Sequence, residues 1–177
     1  MMKVMLDLET LDTGPNSTII SIGAVQFNPE LDPATRSEFY VAILPDQRAW
    51  GRTINGETVA WWAKQTESAR FVLRDPDAVG LPEALNRFCG WFGYDKTVEV
   101  WGNGADFDNV ILGSALEGCL MRKPWSHSMN RCYRTLKNLG IPLGAGEGLE
   151  RTGVHHNALD DAKYQAHYAT AWLRRLK

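Results

Sequence analysis

No stretch of this chain approaches the ~20 consecutive apolar residues that cross a bilayer, although 44% of its residues are apolar. Cysteine is scarce. Cys89, Cys119 and Cys132 are an odd number, widely spaced and without a Cys-x-x-Cys pair, which argues against a disulfide scaffold or a structural zinc and for a reducing compartment. Basic excess is missing too: 19 Lys and Arg stand against 21 Asp and Glu, a formal net charge of -2. No general basic surface therefore advertises nucleic-acid binding. The balance does not exclude a polyanionic ligand, because carboxylates that serve a metal count as negative only until the metal binds. Internal repeats, low-complexity tracts and linkers are absent. The N-terminus, MMKVMLDLET, is too short and too acidic for a signal peptide. A single cytoplasmic domain over residues 1–177, with no membrane association and enough apolar content for a sizeable core, is expected.

What is present falls into two textures. KVMLDLE alternates and is rich in strand formers; IISIGAVQF and SEFYVAIL follow as further strands. The gap TLDTGPNST is short and turn-rich, so these strands should pair as antiparallel hairpins. Helical spacing begins with GETVAWWAKQT and continues in LPEALNRFCGWFGY, where Pro82 sits near the start. TVEVWG reads as a short strand, DNVILGSALEGC and NRCYRTLKNLG as helices, the latter closed by Gly140. PLGAGEGLERTG reads as a glycine-rich loop, and residues 158–176 as the last helix. Three strands followed by alternating helices and strands predict an α/β domain with a mixed sheet.

Three constellations carry chemistry. In DLET, Asp7 and Glu9 are two apart on a strand and share one face, with Val4, Leu6 and Leu8 on the other. Two acids on a central strand are costly unless a hard cation compensates them; alternatively the strand ends there and both are solvated. In WGNGADFDNVIL, a strand ends near Trp101 and a helix starts near residue 107. Asp106 suits an N-cap and Asp108 the first turn, so both acids also have structural readings. In VHHNALDDAK, His155 precedes Asp160 by five residues and His156 precedes Asp161 by five, the same spacing twice. On a helical wheel, Leu159, Ala162, Ala166, Ala169, Leu173 and Leu176 form the apolar face. Asp161 lies on its flank near Gln165 and Trp172, and Asp160 points towards solvent. Asn157 suits the N-cap and Asp160 position N3, where an acid reaches back as in a capping box. His156 sits at the positive end of the helix dipole, which keeps an imidazole neutral and able to accept a proton. His155 reads as a solvated loop residue.

Together DLET, NGADFDN and HNALDDA resemble the DEDDh exonucleases, the DnaQ-like group with a ribonuclease-H-like fold. Asp7 and Glu9 match the family's Asp-x-Glu. Asn103, Phe107 and Asp108 match its second motif, and His156, Ala158 and Asp161 its His-x-Ala-x-x-Asp. The three occur in order over nearly the whole chain. SIGAVQFNPE, WWAKQTESAR and VWGNGADFDNVIL resemble the DexA-like subgroup of phage and prophage enzymes more closely still. RCYRTL departs from that pattern, lacking an aspartate that many relatives carry there.

The resemblance implies metal-dependent 3′→5′ hydrolysis of phosphodiester bonds from a 3′ end, releasing nucleoside 5′-monophosphates. Two ions, Mg²⁺ or Mn²⁺, would be held by Asp7, Glu9, Asp108 and Asp161, with His156 as general base. Thr10, Leu11, Trp61 and Asn103 would contact the substrate. The implied substrate is DNA, single-stranded or with a frayed or overhanging end; an exoribonuclease has the same active site. A binding or proofreading subunit of a polymerase is a third reading. The family allows a homodimer, but no dimer face is legible in the sequence. VMLDLET also resembles the strand end of haloacid-dehalogenase-type phosphotransferases. A Gly-Pro-Asn turn and another strand follow, however, where that family has a helical crossover.

Overall fold

A computed structural model of the protein describes residues 2–31, 37–140 and 149–176. The sheet is built around its central strand, β1 (Lys3–Thr10). This strand is buried from Val4 onward, and β2 (Ile19–Phe27) is buried along almost its whole length. β1 pairs antiparallel with β2, and β2 antiparallel with β3 (Glu38–Ala42), as the short connections require. On the other edge β1 pairs parallel with β4 (Glu99–Gly102), and β4 with β5 (Asn130–Cys132). The resulting order is β3-β2-β1-β4-β5. The fold is therefore the expected mixed sheet flanked by helices.

Both faces of β1 are covered, which explains its nearly continuous burial. Val4, Leu6 and Leu8 face a cluster built with α3 (Leu81–Phe92) and α4 (Asp108–Gly118), including Leu85, Phe88 and Ile111. Met5 faces the other way, onto Ala162, Ala166 and Ala169 of α6 (Ala158–Arg175) and Tyr133 of α5 (Tyr133–Gly140). Strand alternation then puts Asp7 and Glu9 on the α6 face. Small residues along α6 let it lie close across β1 and β2. No described helix is long and apolar enough to cross a membrane.

Several boundaries depart from expectation. β5 replaces the first residues of the expected helix from Asn130; three residues are too few to show a period, and only pairing with β4 makes them a strand. α1 (Gly56–Ala63) ends three residues before the expected Thr66, which instead caps α2 (Glu67–Arg70) by accepting the Ala69 N–H. Leu176, expected on the apolar face, is exposed. Gly140 is the last residue of α5, and most of the expected glycine-rich loop lies at 141–148, outside the described residues.

Candidate active site

The site assembles where β1, the β4–α4 junction and the start of α6 meet. Asp7, Glu9, Asp108 and Asp161 are all buried, with exposures of 8, 7, 1 and 8%. Carboxylate oxygens of Asp7, Glu9 and Asp161 lie within 4.8 Å of one another. They open onto a cavity of about 280 Å³ that Asn103, Arg151 and His156 also line.

Each carboxylate is held by a different element. Asp108 stands in the first turn of α4, and its oxygens accept the N–H of Leu8 at 3.0 Å and of Asn103 at 2.6 Å. It thereby ties β1 to the end of β4. The tie is close: a Cβ on Gly102 would fall 2.9 Å from Asn109 Oδ1 and 3.0 Å from Asp108 Cβ. Asp108 is separate from the three-oxygen cluster, and acts on it through charge. Asp106 is exposed and does not cap α4; Phe107 occupies the cap position and makes no side-chain cap bond. The N-cap expected of Asp106 fails because the helix starts two residues after it.

Asp161 is positioned by the approach of α6 to β2. Gly23 is the register partner of Asp7, and a Cβ there would sit 2.1 Å from the carbonyl carbon of Ala158. Only glycine lets the helix start this near β2. One turn further, Gln165 Nε2 donates to Asp7 Oδ1 at 2.6 Å, fixing its rotamer. The guanidinium of Arg151 pairs with Asp161 and lies 5.1 Å over the ring of Tyr164.

The turn before α6 separates the doubled pairs. Asn157 caps the helix, accepting the N–H of Leu159 and Asp160. Asp160 is half-buried rather than solvent-facing, and accepts the Val154 N–H at 2.7 Å instead of reaching the cap residue's own N–H. A Cβ on Gly153, at φ +82°, would strike the Asp160 carboxyl at 2.4 Å. Asp160 thus braces the turn that carries the histidines. His156 takes the left-handed conformation at φ +65°, costly for a residue with a Cβ, and faces the carboxylate cavity. Its ring meets Trp61 edge-on at 4.8 Å.

Trp62 is core, its indole N–H donating to Thr10 O at 2.8 Å, while Trp61 is 41% exposed. Trp61 and Thr10 line a second cavity of about 400 Å³ that shares Leu8 and Glu9 with the first. Leu11 lines neither; it is buried against Ile20 and Trp62, with its N–H and C=O bonded to Thr18 and Asn55.

Crowding shifts the acidities of the site. Burial, then Asp108 and Glu9, push Asp7 well above the usual carboxylate range. Burial, then Asp108, raise Glu9 to about 8. Burial also raises Asp108 to about 6 against its backbone hydrogen bonds. Burial, followed by the charges of His155 and Arg151, lowers His156 below 6.5, so its imidazole is neutral at pH 7. Clustered buried oxygens that resist ionisation alone are the donor set a hard divalent cation satisfies, so the residues fit Mg²⁺ or Mn²⁺.

This has a consequence for stability without metal. Between the ordinary carboxylate range and about pH 8, the folded chain binds more protons at Asp7, Glu9 and Asp108 than the unfolded chain. Stability is therefore lost as pH rises through that window. In EDTA, the melting temperature should fall by about 5 °C or more from pH 6 to pH 8. A saturating divalent ion should remove most of that fall. Thermal melts across pH check this; a flat profile in EDTA would contradict it.

A family model described as the 3′-5′ exoribonuclease Rv2179c-like domain matches residues 2–173. No curated protein matches the chain. Among solved structures, the nuclease domain of 3′hExo, a DEDDh family member bound to rAMP, is similar with a TM-score of 0.67 at 17% identity, covering 98% of this chain and 92% of that one. Cell-death related nuclease 4 (CRN-4) matches with a TM-score of 0.67 at 14% identity, over 98% of this chain and 64% of that one. The RNase domain of the yeast Pop2 protein matches with a TM-score of 0.61 at 12% identity, over 98% and 77%. At such identities the likeness speaks for the fold.

Proposed function

Because the chain belongs to the Rv2179c-like 3′-5′ exoribonuclease domain family, we propose that residues 1–177 act as one DEDDh-type exonuclease domain that shortens single-stranded or frayed RNA from its 3′ end, releasing nucleoside 5′-monophosphates. The observation that carries the reading is the convergence of Asp7, Glu9 and Asp161 within 4.8 Å, in a cavity that His156 also lines. RNA comes first because the matching family is described by that activity. DNA is the second reading, supported by the likeness of SIGAVQFNPE and WWAKQTESAR to phage-type enzymes; a contact to the 2′-OH separates the two.

Divalent ions, when bound, would supply Lewis-acid stabilisation of the attacking and leaving oxygens. Asp7, Glu9 and Asp161 would hold them, and Asp108 would help to hold them. Gln165 keeps Asp7 aimed at the cavity. A ring nitrogen of His156 takes the proton of the attacking water, and its neutral form persists to below pH 6.5. Asn103 lies beside the scissile phosphate. Trp61 and Thr10 receive the terminal nucleotide in the adjoining cavity, with the indole stacking on its base. Leu11 acts only indirectly, packed in the core with Trp62, whose indole N–H holds the Thr10 carbonyl.

Trp61→Ala should raise KM about tenfold, the worth of one base–aromatic stack, with a smaller fall in kcat from the lost contact to His156. Steady-state kinetics on short oligonucleotides check this, and an unchanged KM would contradict it. The functional reading is tested with 5′-labelled RNA and DNA of one sequence. A ladder shortening from the 3′ end, faster on RNA, is expected. Faster decay of DNA would put the second reading first, and internal cuts would sink both.

A further inference from the structure

Hydrolysis needs one histidine at this turn, and the chain presents two. The His155 and His156 rings stack with centroids 3.9 Å apart and planes 23° apart. Neighbours on an extended chain point to opposite sides; the left-handed backbone at His156 is what brings them together. One ligand atom from each of His155, His156 and Asp161 lies within 4.8 Å of the others. We propose that these three residues form a second, different metal site, one for a borderline transition ion of the Zn²⁺ class. Such an ion would switch the enzyme off by occupying the imidazole nitrogen that takes the water's proton.

The donor set selects the ion. Two imidazole nitrogens and one carboxylate oxygen suit Zn²⁺, Co²⁺ or Ni²⁺, whereas Mg²⁺ keeps to oxygen ligands. A tetrahedral ion with bonds of about 2.0–2.1 Å sets its ligand atoms about 3.4 Å apart, so the two rings must swing out of their stacked arrangement to aim their nitrogens at one ion. Arg151 occupies Asp161 Oδ1, while Oδ2 has only the long 3.4 Å contact from the His156 N–H and retains lone pairs for an ion. His155 is exposed, which gives the ion a path from solvent. Sharing Asp161 and His156 makes this site compete with the hydrolytic arrangement. The inhibition rests on the proposed role of His156; the binding does not.

The test uses His155→Ala, which leaves the hydrolytic residues intact. Zn²⁺ binding to the full chain is measured by calorimetry with Mg²⁺ saturating, for the wild type and the variant. Hydrolysis of a single-stranded oligonucleotide in Mg²⁺ is followed as Zn²⁺ is added. His155→Ala should bind Zn²⁺ at least about tenfold more weakly, and half-inhibition should move up by the same factor, with the Mg²⁺ rate unchanged. His167→Ala, an exposed histidine elsewhere on α6, should behave as the wild type. Equal Zn²⁺ affinity in wild type and His155→Ala, or equal inhibition, would overturn the proposal. Should the wild type bind Zn²⁺ as expected yet hydrolyse neither RNA nor DNA with Mg²⁺ or Mn²⁺, the site stands and the functional reading falls instead.

Discussion

His156→Ala should lower kcat by about 10²- to 10⁴-fold, the usual worth of a positioned general base, while divalent-ion affinity changes little. The imidazole sits beside the carboxylate cluster at a turn braced by the Val154–Asp160 hydrogen bond. Its backbone strain at φ +65° is sustained by that bracing rather than by any packing need of an apolar side chain. Burial holds the ring neutral, so the wild-type rate should rise with pH through a limb below 6.5 and level off above it. Single-turnover rates across pH, for wild type and variant, read both points. A variant with near wild-type kcat, or one that keeps the limb, would remove His156 from the reaction.

Gly23→Ala should be the most damaging Gly→Ala change among the described residues. The added Cβ would meet Ala158 C at 2.1 Å, Leu159 N at 2.2 Å and Ala158 O at 2.3 Å. All three are backbone atoms, so no side chain can yield, and the first turn of α6 must move as a unit. That turn carries the Asn157 cap and leads directly to Asp161 and Gln165. We expect a loss of about 3 kcal/mol or more, a melting temperature lower by about 10 °C, and turnover reduced more than about 100-fold by misplacement alone. Thermal melts and turnover at a temperature where the variant is folded separate the two effects. A folded variant with wild-type turnover would show that α6 need not lie this close to β2.

Much of this site could be read from local pattern. Alternation on β1 put Asp7 and Glu9 on one face, and the α6 wheel put Asp161 rather than Asp160 at the edge of the buried surface. Both follow from fixed periods of 2 and 3.6 residues. Between Asp106 and Asp108, local rules left both acids with structural readings, because cap preference does not say where a helix starts. Family likeness pointed to Asp108, and its burial with bonds to Leu8 and Asn103 gives the physical reason for that difference. The supporting residues were illegible for another reason. Gln165 meets Asp7 across 158 positions, and Arg151 meets Asp161 from an irregular segment with no period. Gly23 did leave a signal, since glycine inside a strand pattern marks close approach of another backbone. What it could not reveal was that the approaching element is α6.

Asp7, Glu9, Asp108 and Asp161 are proposed to make one divalent-ion centre beside His156. Crystals soaked in Mn²⁺ and measured for anomalous scattering test it most directly. Peaks are expected among the carboxylates of Asp7, Glu9 and Asp161, on the side that Asp108 faces. Mn²⁺ bound instead at Asp106 or Asp160, or absent from the cluster at saturating concentration, would contradict it.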